Sequence, residues 1–496
     1  MSELQKLPKK DPKPVKGGRL KSLDEDRMQL TGKRFIFTCA QNNTKLHEQF
    51  WKTLVRMSKV RRAQLIVSGC TYNKNGWQRL TRESSTLDGT SDSEGLWWDH
   101  RIAKHRIEEQ ARVADGLVFC GELDILPTAV TPTTGLDNYT GPNSAIIPHV
   151  KMQLRSLATM KHQPAKMLYT TGAVTLRNYI QRKTGQIAEY HHVFGALWVE
   201  IDAHGKWFVR QLNADDDGVV FDVDKAWGPT WDRPITEFGR PFVNLGDVHI
   251  EKSNDRQMTC ALDLIQQVDP EAVFIHDLFD MESRNHHNLH DPHFLVKNIG
   301  REVERDVKKA AAWLQAMTRA FPNTTFYVIR SNHDQALERW VKFGSKFVDP
   351  VNMRYWHQLN LYALTSIEAP VKYDIFRFAL ECAVPELTKL SSDGRIKWIT
   401  EDQSVILRGI EFGMHGHLGP NGSRPSPKSF RQMGRRANTG HTHSAGIIDG
   451  VWTAGVLGDL DMGYNSGPSS WSCSHILTYP NGKRAIVTQA GNNWRA

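Results

Sequence analysis

Short hydrophobic runs that end abruptly in polar residues are the main pattern of the C-terminal half of the chain. Five of these runs predict strands, over residues 242–245, 272–275, 326–329, 410–414 and 437–439. Between the first three runs, apolar residues recur at helical spacing, which predicts two amphipathic helices. The order of strand, helix and strand favours parallel neighbours, and the loops that follow parallel strands meet at one edge of the sheet.

Weaker patterns of the same kind run through the N-terminal half. Hydrophobic residues 35–38 and 65–67 predict two strands, and an apolar stripe between Phe50 and Met57 predicts a helix, so the three form a β-α-β unit. We also expect a helix around residues 102–113. Further strands are predicted over residues 117–119, 167–169, 193–201 and 206–212. Together these segments indicate a mixed α/β domain.

A stretch rich in glycine and proline, residues 227–241, separates the two halves and is typical of a linker. At the amino terminus, residues 1–22 carry seven basic and two acidic side chains among prolines and glycines, which favours disorder. The predicted organisation is a basic arm over residues 1–30, a mixed α/β domain for substrate binding or assembly over 31–226, a linker over 227–241 and a second domain over 242–496.

Composition narrows the class of protein. Hydrophobic residues make up 40% of the chain and charged residues 24%, as in ordinary globular proteins, which excludes a wholly disordered or fibrous chain. No run is long enough for a membrane helix, and the basic arm lacks the apolar stretch of a secretory signal. Six scattered cysteines form no Cys-x-x-Cys pair, which excludes a zinc knuckle and fits a reducing cytoplasm. The net charge of +9 favours an acidic partner.

The loops after the five predicted C-terminal strands carry the chemistry. Their side chains are carboxylates, imidazoles and one amide, namely Asp247, His249, Asp277, Asn332, His333, His415, His441 and His443. Such donors are expected around a pair of divalent metal ions, whereas a structural zinc site uses thiolates. Two ions about 4 Å apart that share one carboxylate can activate a hydroxide and polarise a phosphoryl group for in-line attack. The remaining histidine can then stabilise the departing oxygen.

In their order and spacing, these loops resemble the calcineurin-like metallophosphoesterase family. The family's five motifs match, in order, Gly246-Asp247-Val248-His249, Asp277-Leu278-Phe279-Asp280, Asn332-His333-Asp334, His415 and Gly440-His441-Thr442-His443. The resemblance covers about residues 240–480 and departs at Ile250, His276 and Ser331, where the family has glycine. It implies a C-terminal β-sandwich flanked by helices. With the pattern of the N-terminal half, the expected fold is an α/β protein in which a separate mixed α/β domain precedes this sandwich.

The resemblance also implies a role for each residue. Seven residues would bind metal: Asp247, His249 and His443 the first ion, Asn332, His415 and His441 the second, and Asp277 both. His333 would act beside the leaving group as acid or electrostatic stabiliser, with Asp334 orienting an imidazole and Asp280 a loop. We expect His417 just behind the ligands. Manganese is the expected metal, and the same donors also suit magnesium, iron or zinc.

The substrate has to be inferred from residues that flank the predicted metal ligands, because the family includes phosphatases, nucleotide phosphodiesterases and nucleases. A basic loop without acidic residues lies between His415 and His441 and contains Arg424, Lys428, Arg431, Arg435 and Arg436. Beside the ligands it would grip a phosphate backbone, with a solvated loop as the alternative. Two further groups could contact the substrate or have a purely structural role: the aromatic and polar residues 71–77 and the histidines His286, His287, His290 and His293. The layout is similar to bacteriophage-encoded family members proposed to degrade DNA.

We therefore expect a metal-dependent nuclease that hydrolyses phosphodiester bonds of DNA, with His333 assisting departure of the leaving oxygen. It would act in the cytoplasm, that of a host cell if phage-encoded, with nucleic acid and no membrane as its partner, and homo-oligomerisation stays open. A phosphatase or small-nucleotide phosphodiesterase is one alternative. A non-catalytic binding protein with a scaffold metal site is another.

Overall fold

The computed structural model of this protein describes residues 28–72, 96–285, 288, 291–344, 349–366 and 374–496. Within them the chain is a mixed α/β structure of several sheets and helices, as the sequence predicts. None of the helices within these described residues is long and apolar enough to cross a bilayer. Residues 73–77 and the histidines His286, His287 and His290 lie outside the described part of the chain.

The strands of the described chain, numbered in order, are β1 (Met28–Gln29), β2 (Arg34–Gln41), β3 (Gln64–Cys70), β4 (Gln110–Ala114), β5 (Leu117–Cys120), β6 (Ser144–Ile147), β7 (Leu154–Leu157), β8 (Lys166–Thr170), β9 (Gly195–Ile201), β10 (Trp207–Asn213), β11 (Val220–Asp222), β12 (Lys225–Trp227), β13 (Phe242–Asn244), β14 (Ala272–His276), β15 (Thr325–Ile329), β16 (Ile396–Ile399), β17 (Ile406–Leu407), β18 (Ile410–Glu411), β19 (Arg436–Thr439), β20 (Gly446–Ile448), β21 (Val451–Thr453), β22 (Ser474–Thr478) and β23 (Arg484–Thr488). The α-helices are α1 (Glu48–Arg61), α2 (Lys183–His191), α3 (Asp255–Val268), α4 (Pro292–Lys297), α5 (Val303–Ala320), α6 (Gln335–Phe343), α7 (Met353–Ser366), α8 (Ile375–Ala383) and α9 (Glu386–Ser392).

These strands form sheets of eleven, six, four and two strands. The six-stranded sheet has the order β16-β15-β14-β13-β22-β23, and its strands β13 to β16 are parallel. The eleven-stranded sheet has the order β1-β4-β5-β6-β8-β7-β20-β21-β19-β18-β17. In the four-stranded sheet, β2 and β3 are parallel and α1 connects them, so the predicted β-α-β unit is confirmed.

The six-stranded sheet lies between a layer of helices and the eleven-stranded sheet. On one face, Val328 of β15 shares a buried core with Leu314 of α5. On the other face, Phe274 of β14 stacks on Phe412, which follows β18 in the facing sheet, with ring centroids 4.3 Å apart. Burying one such side chain contributes about 1.5–3 kcal/mol. The hydrophobic runs of the C-terminal half therefore form a two-sheet sandwich with helices on one outer face.

The two halves of the chain share one sheet and one core. Strands β1 and β4 to β8 precede residues 227–241, β17 to β21 follow them, and all belong to the eleven-stranded sheet. The junction is the pairing of Leu154 in β7 with Ile447 in β20. A second connection is made where Ile486 N of β23 donates to Gln211 Oε1 of β10 at 2.8 Å. The expectation of a separate N-terminal domain is therefore corrected, because hydrogen bonds and buried side chains cross the predicted boundary.

Two local predictions also differ from the structure. Residues 28–30, which the sequence assigns to the arm, belong to the fold, since Met28 and Gln29 pair with β4 and Leu30 is buried. The helix expected around residues 102–113 is absent: a 3-10 helix covers His100–His105, and residues 110–114 form β4. Pairing with β5 buries alternate side chains of β4, and over so short a run this pattern is easily confused with a helical stripe.

Candidate metal centre

Adjacent strand ends bring the predicted site residues together. Strands β13, β14 and β15 are parallel neighbours, so the loops that follow them open at one edge of the six-stranded sheet. The facing sheet contributes the loops after β18 and β19, which are parallel to each other as well. Loops from two packed sheets therefore converge, and they carry every residue that the sequence predicts as a metal ligand.

One half of the cluster consists of Asp247, His249, Asp277 and His443, which are all buried and offer donor atoms within 4.8 Å of one another. His249 Nε2 is 3.0 Å from His443 Nε2 and 3.6 Å from Asp277 Oδ2. His443 Nε2 is 3.2 Å from Asp247 Oδ2. Two imidazole nitrogens and two carboxylates thus face a common space.

The other half consists of Asn332, His415 and His441. Asn332 Oδ1 is 3.1 Å from His415 Nε2 and 3.0 Å from His441 Nδ1. His415 Nε2 also lies 3.3 Å from Asp277 Oδ2. His249 of the first group and His415 of the second both lie near Asp277 Oδ2. Asp277 is therefore between the two groups of predicted ligands, which is the position that its predicted bridging role requires.

The structure reverses the predicted roles of Asp280 and Asp334. Asp280 Oδ1 is 3.1 Å from His333 Nδ1. The carboxylate of Asp334 instead accepts from the Phe279 backbone amide at 3.2 Å and from the Ser331 hydroxyl at 2.8 Å. Asp280 therefore orients the imidazole and Asp334 orients a loop. The physical reason is that Asp334 stands at the start of α6, where local donors take up its carboxylate oxygens.

Burial keeps most imidazoles of the cluster neutral. It lowers the pKa in four predicted ligands: His249, His415, His441 and His443. At His333, burial also acts against protonation, but the carboxylates of Asp277 and Asp280 outweigh it and raise the pKa to about 9. Neutral imidazole is the form that binds metal, and imidazolium is the form that donates a proton. The pKa shifts therefore favour neutral rings at the four predicted ligands and a protonated ring at His333.

The buried carboxylates of the cluster are suited to binding a cation. Asp247 Oδ1 is buried and accepts no hydrogen bond from the described residues. Burial and the neighbouring Asp277 raise the pKa of Asp247 well above its usual range. Burial also opposes ionisation of Asp277, but His415 and His333 hold its pKa well below that range. Since a divalent cation between these groups would offset the burial of both charges, the donors fit one.

The ligand loops have unusual backbone conformations. Four predicted ligands have a positive φ: His249 (41°), Asp277 (41°), His441 (73°) and His443 (55°). For a residue other than glycine such a conformation costs on the order of 1–3 kcal/mol, and it is found mainly at functional sites. A Cβ atom at Gly440 would overlap Asp247 Oδ1, so glycine is needed where these loops approach each other.

Two aromatic side chains that the sequence analysis did not single out border the cluster. The ring of Trp471 lies 4.2 Å from that of His443, and the ring of Tyr464 lies 6.1 Å from that of His333. Both belong to the irregular segment between β21 and β22, where no periodic pattern marks them. They cover one side of the cluster with low-polarity surface, which strengthens electrostatic interactions inside it.

Two further histidines support the ligand loops. Gly246 N donates to His475 Nδ1 at 2.9 Å, which fixes the first of these loops. A lone histidine inside a strand gives no sequence signal for that role. His417, which the sequence places behind the ligands, is 3.4 Å from Gln335 Nε2, and its ring lies 5.3 Å from that of His415.

A cavity of about 210 Å³ adjoins the cluster. Its lining includes Asp280 and Tyr464, which border His333, and the cations Lys252, Lys297 and Arg301, of which Lys252 and Arg301 both pair with Glu282 in the same lining. Ammonium and guanidinium groups form charge-assisted hydrogen bonds with phosphate oxygens. This cavity therefore places cationic side chains next to the cluster, at residues that the sequence alone did not single out.

Most of the predicted basic loop lies away from the cluster. Because β18 and β19 are parallel, the chain that leaves the carboxyl end of β18 must return to the amino end of β19. Arg436 is the first residue of β19, and with Lys428, Arg431 and Arg435 it lines a cavity that includes none of the predicted ligands. The expectation that these four cations border the ligands is therefore wrong. Arg424 is exposed and does not line that cavity.

No family model matches the chain, and no solved structure matches it. It is 36% identical over 505 residues to a protein of Escherichia phage T5 named Protein A1, and this match covers 98% of the chain and 87% of the phage protein. The similarity therefore extends over both halves of the fold and over all the loops of the cluster. On that basis, the chain belongs to the family of Protein A1 of Escherichia phage T5.

Proposed function

We propose that this protein is a metal-dependent nuclease that hydrolyses phosphodiester bonds, with DNA as its substrate. One observation carries the proposal: the Asp277 carboxylate lies between two groups of neutral imidazole, amide and carboxylate donors, with a protonated histidine beside them. This combination suits the binding of two divalent cations and the protonation of a leaving oxygen.

The architecture supports assignment to the calcineurin-like metallophosphoesterases. Parallel strands β13, β14 and β15 carry three of the motif loops, and the facing sheet carries the other two. Helices cover the outer face of the six-stranded sheet. This arrangement agrees with the helix-flanked sandwich that the resemblance implies.

Each part of the site has a task in the proposed reaction. The seven predicted ligands would hold two divalent ions, with manganese preferred, and these ions would supply Lewis-acid polarisation of the phosphodiester and activation of a water nucleophile. His333 holds a proton, because its pKa of about 9 keeps it charged at neutral pH. Asp280 lies 3.1 Å from His333 Nδ1 and orients the ring, which would donate its proton to the departing oxygen. The rings of Trp471 and Tyr464, which lie beside His443 and His333, would limit the access of water to the site.

DNA is the preferred substrate because of charge. The chain carries a net charge of +9, and the cavity next to the cluster is lined by Lys297 and by Lys252 and Arg301, which both pair with Glu282. Such cations would contact phosphates that flank the cleaved bond and fix the register of the strand.

A small-nucleotide phosphodiesterase is the second candidate. One observation favours it: Lys428, Arg431, Arg435 and Arg436 line a cavity that contains none of the predicted ligands, so they would not hold a long strand across the cluster.

The test is cleavage by purified full-length protein after treatment with chelator. We expect no cleavage of linear or circular DNA without metal, and recovery when manganese is added. Asp277→Asn should abolish cleavage and lower the bound manganese, measured by mass spectrometry, from two ions per chain. His333→Asn should retain both ions and lower the cleavage rate by about 10²- to 10⁴-fold, because it removes the proton donor.

His204→Asn, at a histidine exposed on the loop between β9 and β10, is the matched control and should behave as wild type. Hydrolysis of bis(p-nitrophenyl) phosphate without cleavage of any nucleic acid would favour the second candidate. Binding of two ions without hydrolysis of any phosphoester would contradict both and support a scaffold metal site.

A further inference from the structure

The strongest unassigned feature of the molecule is a cationic cavity at the edge of the sandwich opposite the metal centre. It has a volume of about 610 Å³, and eight lysine and arginine side chains line it, four of them from residues 428–436. Among the described residues, Asp449 supplies the one carboxylate of this lining. Cavities of about 300–1,000 Å³ are of the size that holds small organic ligands.

The strand directions separate this cavity from the metal centre. Arg436 begins β19 and His441 lies beyond its carboxyl end at Thr439, so the strand alone puts roughly 10 Å between them at about 3.3 Å per residue. The turn at Asp449 joins β20 and β21 at the Arg436 edge, and Arg484 begins β23 there. The metal centre lies at the opposite ends of these strands, where Asp247 pairs with Val456 beyond the end of β21.

Much of the positive charge in the cavity is not neutralised. Lys151 and Arg431 both pair with Asp449. Among the described residues, Lys428, Arg435 and Arg436 form no ion pair with a carboxylate. Their side chains are exposed to the cavity and solvent, so a ligand can reach them.

A buried cation under the cavity adds to this charge. Arg484 is buried and donates to the carbonyl oxygens of Ala437 and Gly450 and to Asn438 Oδ1, all of them neutral acceptors. Burial and the nearby Arg436 lower the pKa of its guanidinium. Burial likewise lowers the pKa of Lys483 against the effect of nearby carboxylates, and Arg436 acts in the same direction. Like charges held this close repel one another, and a bound anion would relieve the repulsion.

Aromatic groups complete the lining. Trp452 lies under the Arg484 guanidinium, with 4.8 Å between the guanidinium carbon and the ring centroid. Phe194 and Tyr190 also line the cavity, and Tyr190 is 81% exposed. Cations that track phosphates next to an accessible aromatic ring are the usual means by which proteins hold nucleotides without base pairing.

We propose that this cavity is a second binding site, separate from the metal centre, for a ligand that carries several phosphate groups and a base: a segment of single-stranded nucleic acid or a nucleoside triphosphate. The site follows from the position and charge of the cavity and does not depend on the proposed nuclease activity.

The test measures binding of a fluorescent 12-nucleotide oligothymidylate to the full-length protein by anisotropy. EDTA is present throughout so that metal-dependent cleavage cannot consume the probe. The double variant K428A/R435A should weaken binding about tenfold. It should also reduce the slope of log Kd against log salt concentration by about 1.4, since about 0.7 is lost with each contact to a single strand.

R424A is the matched control, because Arg424 belongs to the same loop and does not line the cavity; its Kd should change less than twofold. Thermal unfolding of all variants shows whether the fold is retained. Competition by dTTP, but not by inorganic tripolyphosphate, would identify a nucleoside triphosphate site, and absence of competition by either would identify a polynucleotide site. Equal weakening by R424A and K428A/R435A, or no effect of K428A/R435A, would overturn the proposal.

Discussion

At the scale of single residues, Asp280 is placed to orient two histidines of the site at once. Its Oδ1 lies 3.1 Å from His333 Nδ1 and 3.2 Å from His249 Nδ1. One carboxylate thus orients a predicted metal ligand and the predicted proton donor together. Carboxylates behind metal-binding histidines commonly fix the ring and its tautomer.

Asp280→Asn should lower the pKa of His333, because the amide keeps the shape of the carboxylate and loses its charge. The expected activity is about 10- to 100-fold below that of wild type. The pKa is measured by NMR titration of the histidine rings in the metal-free protein.

Asp334→Asn is the control for this variant. Burial and the nearby Asp277 raise the pKa of Asp334 well above its usual range, so a neutral amide is a close substitute for it. The His333 pKa should fall less than in Asp280→Asn. An equal fall in both variants would contradict the role assigned to Asp280.

At the scale of elements, a buried ionic network connects α1 to the strands of the N-terminal half. Arg210 of β10 lies between Asp222 of β11, with Nε to Oδ1 at 2.8 Å, and Glu200 of β9, with Nη1 to Oε1 at 2.7 Å. Arg61 of α1 also pairs with Asp222. The helix and three strands are therefore tied at one point by charge as well as by apolar packing.

Asp222→Asn should destabilise the protein by about 3–5 kcal/mol, because it leaves buried guanidinium groups short of a counter-charge. In wild type, burial opposes ionisation of Asp222, but Arg210 and Arg61 hold its pKa well below the usual range. A carboxylate with a lowered folded-state pKa contributes stability that is complete above its ordinary pKa of about 3.9 and is lost as the pH falls below it. Urea unfolding between pH 3 and pH 7 measures both effects.

Asp232→Asn is the control, since Asp232 is fully exposed and pairs with Arg56 at the surface. It should leave the unfolding free energy nearly unchanged. If the pH dependence between pH 3 and pH 5 were the same in Asp222→Asn and wild type, the network would not contribute as described.

Prediction of elements from the pattern worked best where a run was long or strongly periodic. The stripes that predict α3 and α5 and the runs that predict β13, β14 and β15 are examples. The helix predicted over residues 102–113 was wrong because pairing with β5 holds residues 110–114 in an extended conformation. A short mixed pattern of polar and apolar residues does not reveal that partner strand.

At the scale of the whole molecule, the shared sheet makes the two halves interdependent. The buried cluster that contains Leu197 and Val199 of β9 also contains Trp452, Ile476 and Ile486 from the C-terminal half. Both halves therefore contribute to one apolar core, and a fragment of either would expose it to water.

Residues 242–496 expressed alone should be aggregated or loosely packed, because the β7 edge and the β9 side chains are missing. Near-ultraviolet circular dichroism and binding of a hydrophobic dye measure this. A protease site inserted between Asp232 and Arg233 is the control: after cleavage of the folded chain, the two pieces should remain together in size-exclusion chromatography. A fragment with native-like near-ultraviolet signal would show that the halves fold independently.

The sequence by itself determined the chemistry of the site and its order along the chain. Residue types such as Asp247, His249 and Asp277 are visible directly, and the rule that loops follow parallel strands to one edge brings them together without knowledge of packing. Only the tertiary structure decided which carboxylate contacts His333, where residues 428–436 lie and how the halves join. The physical reason is that these features depend on side-chain directions and on contacts between residues distant in sequence, which local patterns of polarity do not encode.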